Sequence, residues 1–126
     1  MAMQVAFANN TVMVTMEGVA SIISTDPISL GPYDRASAMF SVEYLHVPAG
    51  TGTISYQAQV SNDGVRWTNV TALTDLSTTP TTTPLQIIAA INGVYLRFVF
   101  TFQLGGASAG DLAAVSFDLH VNLDHA

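Results

Sequence analysis

The chain is expected to fold as an all-β protein. The expected form is an antiparallel β-sandwich, jelly-roll-like, with about eight strands and no substantial helix. Three observations carry this. The stretch VYLRFVFTFQL, Val94 to Leu104, alternates over its whole length: Val94, Leu96, Phe98, Phe100, Phe102 and Leu104 share one face, and Tyr95, Arg97, Val99, Thr101 and Gln103 share the other. Period 2 sustained this far marks a strand with one buried face. Val115 to Leu123 repeats the pattern with Val115, Phe117, Leu119, Val121 and Leu123 inward. Turn signals recur between these and other short apolar runs, which is the spacing of a sandwich or barrel.

In chain order, residues 1–10 alternate weakly and end in Asn-Asn, so they read as an extended N-terminal arm that orders on a partner. Residues 11–126 read as a single sandwich domain. Thr11 to Met16 is a first strand in which Val12, Val14 and Met16 share a face; Glu17-Gly18 turns it, and Val19 to Ser24 is a short second strand. Thr25 to Arg35 holds Pro27, Pro32 and Gly31 and reads as a loop, because proline removes a ladder donor and restricts its predecessor. Ala38 to Val47 is a long strand with Phe40, Val42 and Tyr44 on one face. Thr53 to Val60 alternates with Ile54, Tyr56, Ala58 and Val60 inward. Ser61-Asn62-Asp63-Gly64 then turns the chain into Val65 to Val70, so residues 53–70 read as a hairpin. Thr71 to Pro84, with seven threonines and two prolines, reads as a long surface loop with room for extended edge pieces. Leu85 to Ala90 is a strand, Asn92-Gly93 a turn, and Gly105 to Gly110 a glycine-rich tip before the last strand. If strands 94–104 and 112–123 pair as a hairpin, parity sets Arg97 opposite Asp118 or His120 on the outward face.

Charge narrows the function. Only 10% of residues are charged, against roughly 25% in average proteins. There is no lysine, the basic side chains are Arg35, Arg66 and Arg97, and the net charge is −6. No basic stripe can form to neutralise phosphates, so nucleic acid is not an expected partner, and neither is an anionic membrane. There is no cysteine, so neither a disulfide framework nor thiol chemistry is available. The start of the chain lacks a basic segment followed by an apolar run, so no signal peptide is expected and synthesis is placed in a cytoplasm. A surface so poor in charge reads either as a Thr/Ser-rich β surface or, the reading preferred, as one covered by copies of the chain or by a partner.

Candidate chemistry is sparse. Asp118, His120, Asp124 and His125 could suggest a metal, but only the first two share a strand face and a structural zinc site needs four closed ligands. Glu17 and Glu43 match a glycosidase carboxylate pair only loosely. No nucleophile sits on a sharp turn beside a base, and no glycine cluster opens a helix. No enzyme activity and no cofactor or metal are therefore expected. Trp67 with Tyr33, Tyr44, Tyr56 and Tyr95 could build a sugar platform; a lone Trp beside a hairpin turn is more often a packing anchor.

Ser61 to Gly64 with Trp67, followed by Gly93, Tyr95, Arg97 and Phe98, forms the phrases "strand, SNDG, x, x, W" and "G-x-Y-x-R-F". Together with the closing apolar strand they resemble the small β-sandwich virion proteins of tailed bacteriophages, such as head decoration (cement) proteins, over roughly half of the chain. The resemblance implies a virion protein that oligomerises, with a trimer favoured, and binds the major capsid protein to clamp neighbouring capsomers. Contacts would come from the arm (Met3, Gln4, Phe7, Asn9), the first loop (Pro27, Pro32, Tyr33) and the Thr/Pro loop (Thr81, Pro84). The alternative is a carbohydrate-binding or adhesion module centred on Trp67.

Overall fold

The computed structural model describes residues 3–70, 74–76, 82–87 and 91–124, with side chains described outside 3–10 and 82–87. Among them there is no helix. The strands are β1 (Met3–Met16), β2 (Ser21–Ser24), β3 (Ile28–Ser29), β4 (Arg35–His46), β5 (Thr51–Ser61), β6 (Thr68–Asn69), β7 (Thr74–Leu76), β8 (Thr82–Ile87), β9 (Tyr95–Gly105) and β10 (Leu112–Asp124).

Two antiparallel sheets face each other. The first runs β1-β10-β4-β8; the second runs β2-β9-β5-β6, with β3 also on β9 and β7 also on β5. If β2 with β3 and β6 with β7 are each counted as one broken strand, two four-stranded sheets result. The first strand pairs with the last, and β2 and β3 pair with the last but one. The chain is thus a long hairpin wrapped over itself, which is the jelly-roll winding.

The alternation read in the sequence builds the core. Phe98, Phe100 and Phe102 of the second sheet and Phe40 and Phe117 of the first are buried between the layers. The ring of Phe100 stands 5.6 Å from Phe40 and 4.9 Å from Phe117, and Phe40 stands 5.0 Å from Phe117. Offset ring pairs at such spacings add about 0.5–1.5 kcal/mol each beyond their burial. Leu119, Val121 and Leu123 continue the core along β10.

Several expectations need correction. β9 and β10 do not form a hairpin: β9 pairs with β2 and β5, and β10 with β1 and β4. Parity required only that both strands turn one face inward, and two facing sheets satisfy that as well as one sheet does. Arg97 therefore stands opposite Gln59. Val94 precedes β9 and is exposed. In β4, Tyr44 is exposed and Leu45 packs on the core. A bulge explains this: Phe117 opposes Val42 while Ser116 opposes Tyr44, so Glu43 is the extra residue and every side chain beyond it changes face. The return strand expected over Val65 to Val70 shrinks to β6. The stretch Thr71 to Pro84 does hold extended edge pieces, β7 and the start of β8, whereas the first loop contains β3, which pairs with Leu96 and Tyr95. Residues 1–10 are extended from Met3 on, and their backbone pairs with β10 of the same chain, Met3 opposite Leu123 and Ala6 opposite His120.

Candidate functional site

The first sheet gathers several of the residues singled out for contact. Met3 and Gln4 lie opposite Leu123 and Asn122, and Leu123 lies opposite Ala36 at the start of β4. Phe7 and Asn9 fall at the two register shifts of β1, between Ala6 and Ala8 and between Ala8 and Thr11. Pro84 lies in β8 opposite Met39, and Thr81 lies outside the described residues. The first loop reaches the same end of this sheet: Asp34 donates its N–H to the Asp124 carbonyl at 3.1 Å. Pro32 is exposed, whereas Tyr33 packs partly on the core and donates its N–H to the Leu30 carbonyl at 3.0 Å. Pro27 is exposed just ahead of β3, on the second sheet.

A second surface was not singled out from the sequence. Along β1, Met13 and Thr15 point inward, so Val12, Val14 and Met16 point outward and are exposed. Leu112, opposite Met16 on β10, is exposed as well, and so are Val19 and Ile22 after the turn. Val14, Met16, Val19, Ala20 and Leu112 line a shallow groove of about 350 Å³ there. The turn is held firmly: Val19 donates its N–H to the Met16 carbonyl at 2.9 Å, Thr15 Oγ1 donates to the Val19 carbonyl, and Glu17 donates its N–H to the Asp111 carbonyl at 3.0 Å. The Glu17 carboxylate accepts from the Ala107 N–H at 3.2 Å. In the run TVMVTM the face of Val12, Val14 and Met16 is far more apolar than that of Thr11, Met13 and Thr15, so hydropathy favours it as the buried one; the structure turns it outward instead.

On the outer face of the second sheet, the Arg97 guanidinium carbon lies 4.2 Å from the centre of the Trp67 ring. Arg97 Nε donates to Gln59 Oε1 at 2.8 Å, and Gln59 Nε2 donates to Asn69 Oδ1 at 2.9 Å. Trp67 is half-buried under this cation, so that ring face is taken. Tyr56 is core, and burial raises its phenol pKa. The loop before Trp67 closes on Asp63, whose carboxylate accepts from the N–H of Arg66 at 2.8 Å and of Val65 at 2.9 Å, and from Ser61 Oγ at 3.0 Å. These bonds, led by that of Arg66, hold the Asp63 carboxyl below the usual carboxylate range.

Among the described residues no group of three or more His, Asp or Glu could hold a metal. A cleft of about 530 Å³ is lined by Gly18, Thr51, Thr53 and Gln103 among others, with no titratable side chain. Such a lining offers hydrogen bonds but no acid, base or nucleophile.

No family model and no curated protein matches the sequence. Among solved structures, the VP2 subviral particle of infectious bursal disease virus superposes with a TM-score of 0.71 at 12% identity, over 99% of this chain. VP2 in the T=1 particles derived from that virus gives 0.67 at 15%, and its T13 viral particle 0.66 at 15%, each over 99% of this chain. The chain spans 33% of the first of these and 31–32% of the others. At this identity the likeness is one of fold: the jelly roll read from strand order is also found as one part of VP2.

Proposed function

We propose that the chain is a virion structural protein of the head-decoration kind, which self-associates and clamps neighbouring copies of a major capsid protein. The observation that carries the reading is the jelly roll shared along nearly the whole chain with VP2, which forms the subviral and T=1 particles named above. The sparse charge and the exposed apolar surface beside β1 favour a protein that works covered by others. Capsid contact is assigned to Met3, Gln4, Phe7 and Asn9 of β1, to Pro27, Pro32 and Tyr33, and to Thr81 and Pro84. The carbohydrate reading is not favoured, because Arg97 occupies one face of the half-buried Trp67 and Tyr56 lies in the core.

The test is made on purified virions of the phage that encodes the sequence. The protein is expected in intact particles, to be released by mild chaotrope and to rebind stripped heads. Stripped heads are expected to open at a lower temperature than redecorated ones. Equal heat resistance would refute clamping, and absence of the chain from virions would refute the whole reading.

A further inference from the structure

We infer that β1 is a dimerisation strand. Two copies of the chain pair edge to edge and antiparallel through Val12 and Val14, about a two-fold axis at Met13. The second copy lies against Val12 and Val14 and adjoins the apolar groove lined by Met16, Val19 and Leu112.

Backbone direction comes first. The Glu17 N–H points to β10, where it reaches the Asp111 carbonyl, while the Met16 carbonyl points away from β10 and accepts from Val19. Successive residues of a strand direct their amides to opposite sides. Val12 and Val14 therefore aim both N–H and C=O at the free edge, and the turn at Val19 already occupies the carbonyl of Met16. With Val12 of one copy opposite Val14 of the other, each of the two pairs exchanges two N–H···O bonds. Met13 then faces its own copy in the non-bonded position between them. Such a contact is isologous and closes on itself.

The other sheet edges are protected and this one is not. Pro84 interrupts β8 at the far edge of the same sheet, and the second sheet ends in short pieces: β2 and β3 on one side, β6 and β7 on the other. Short, broken or proline-bearing strands are the usual guards against edge pairing. β1 has 14 residues, with no charge, proline or glycine. Its register shifts lie between Ala6 and Thr11, so Thr11 to Met16 keep unbroken register and present a regular edge.

The side chains fit the same occupant. Val12 is 61% exposed and Val14 53%, on a protein whose net charge is −6. Two such chains meet at least cost on a surface free of like charges, and Val12, Val14, Met16, Val19 and Leu112 carry none. A two-fold contact makes a dimer, in place of the trimer that the phage-protein resemblance implies. The inference takes its biological sense from the assembly reading, but its test needs no particle.

Sedimentation of the full chain over a wide concentration range is expected to show reversible dimers. Val14→Pro removes an edge-directed N–H that the monomer does not use, and Val12→Lys sets two lysines diagonally across the two-fold axis, about 7–8 Å apart. Each is expected to weaken the dimer at least about tenfold with unchanged far-ultraviolet circular dichroism. Should Val14→Pro fail to fold, Val12→Lys decides. A wild-type monomer, a wild-type trimer, or a dimer that tolerates Val12→Lys would overturn the inference. A dimer that fails to rebind stripped heads would overturn the capsid reading alone.

Discussion

Arg97 joins two strands at residue scale through an aromatic ring and a side-chain amide. Its guanidinium stacks on Trp67 and its Nε holds Gln59, so one side chain ties β9 to β5 and to the loop after it. Arg97→Ala is expected to lower stability by about 1–2 kcal/mol and to shift Trp67 emission to the red as the ring gains water. Arg97→Lys should recover only part, since a lysine keeps the charge and loses the planar stack. Unchanged emission in the alanine variant would refute the clamp. Asp63 gives a pH prediction with a definite sign. Its carboxyl is held low in the folded chain, so the loop's stabilisation is present above the unfolded value near about 4 and is lost as pH falls through the lower folded value. Amide exchange at Val65 and Arg66 should therefore quicken in acid, and Asp63→Asn should remove that dependence; acid-insensitive exchange in the wild type would contradict it. The sequence marked Asp63-Gly64 as a turn and Trp67 as an anchor, yet Arg97 as their partner was hidden. That meeting depends on β9 lying beside β5, which alternation does not encode.

Elements were legible where alternation was sustained rather than where they were long: β1, with 14 residues, is the longest strand, yet its weakly alternating first part read as an arm. Phe98, Phe100 and Phe102 announced β9, and Phe117, Leu119 and Val121 announced β10, because long alternation survives any choice of neighbour. β3 and β6 have two residues each, too few for any period, and exist because β9 and β5 offer edges to pair with. The bulge at Glu43 was equally silent, since an extra residue leaves no mark on composition while it turns Tyr44 outward. The turn from β4 to β5 makes a sharper demand. Gly50 has φ +73°, and a Cβ there would fall on the Gly105 carbonyl oxygen at the end of β9. Gly50→Ala is thus expected to cost about 1–3 kcal/mol, visible in thermal unfolding, because the left-handed backbone and the close approach both exclude a side chain. An unshifted midpoint would mean that the turn can be rebuilt. In the core, Phe100→Ala removes the ring that bridges Phe40 and Phe117 and should cost about 3–5 kcal/mol. A loss below about 1 kcal/mol in chemical denaturation would show that the sheets close over the gap.

At the scale of the molecule, β1 carries two assigned roles on different stretches, and a truncation separates them. Residues 3–10 flank the part of β10 that holds Leu119, Val121 and Leu123, while Val12 and Val14 present the edge assigned to the second copy. Removing residues 1–10 leaves Thr11 to Met16 paired with Phe117 to Leu112, and leaves β10 paired with β4 along its length. The shortened chain should keep its β circular dichroism and its dimer, melt at a lower temperature because part of β10 becomes an edge, and no longer bind stripped heads. Each half of that outcome bears on a different claim. Particle binding by a folded, shortened dimer would remove the capsid contacts assigned to Met3, Gln4, Phe7 and Asn9. Loss of the dimer with the fold intact would mean that the self-contact runs through the first ten residues, and pairing centred on Met13 would fall.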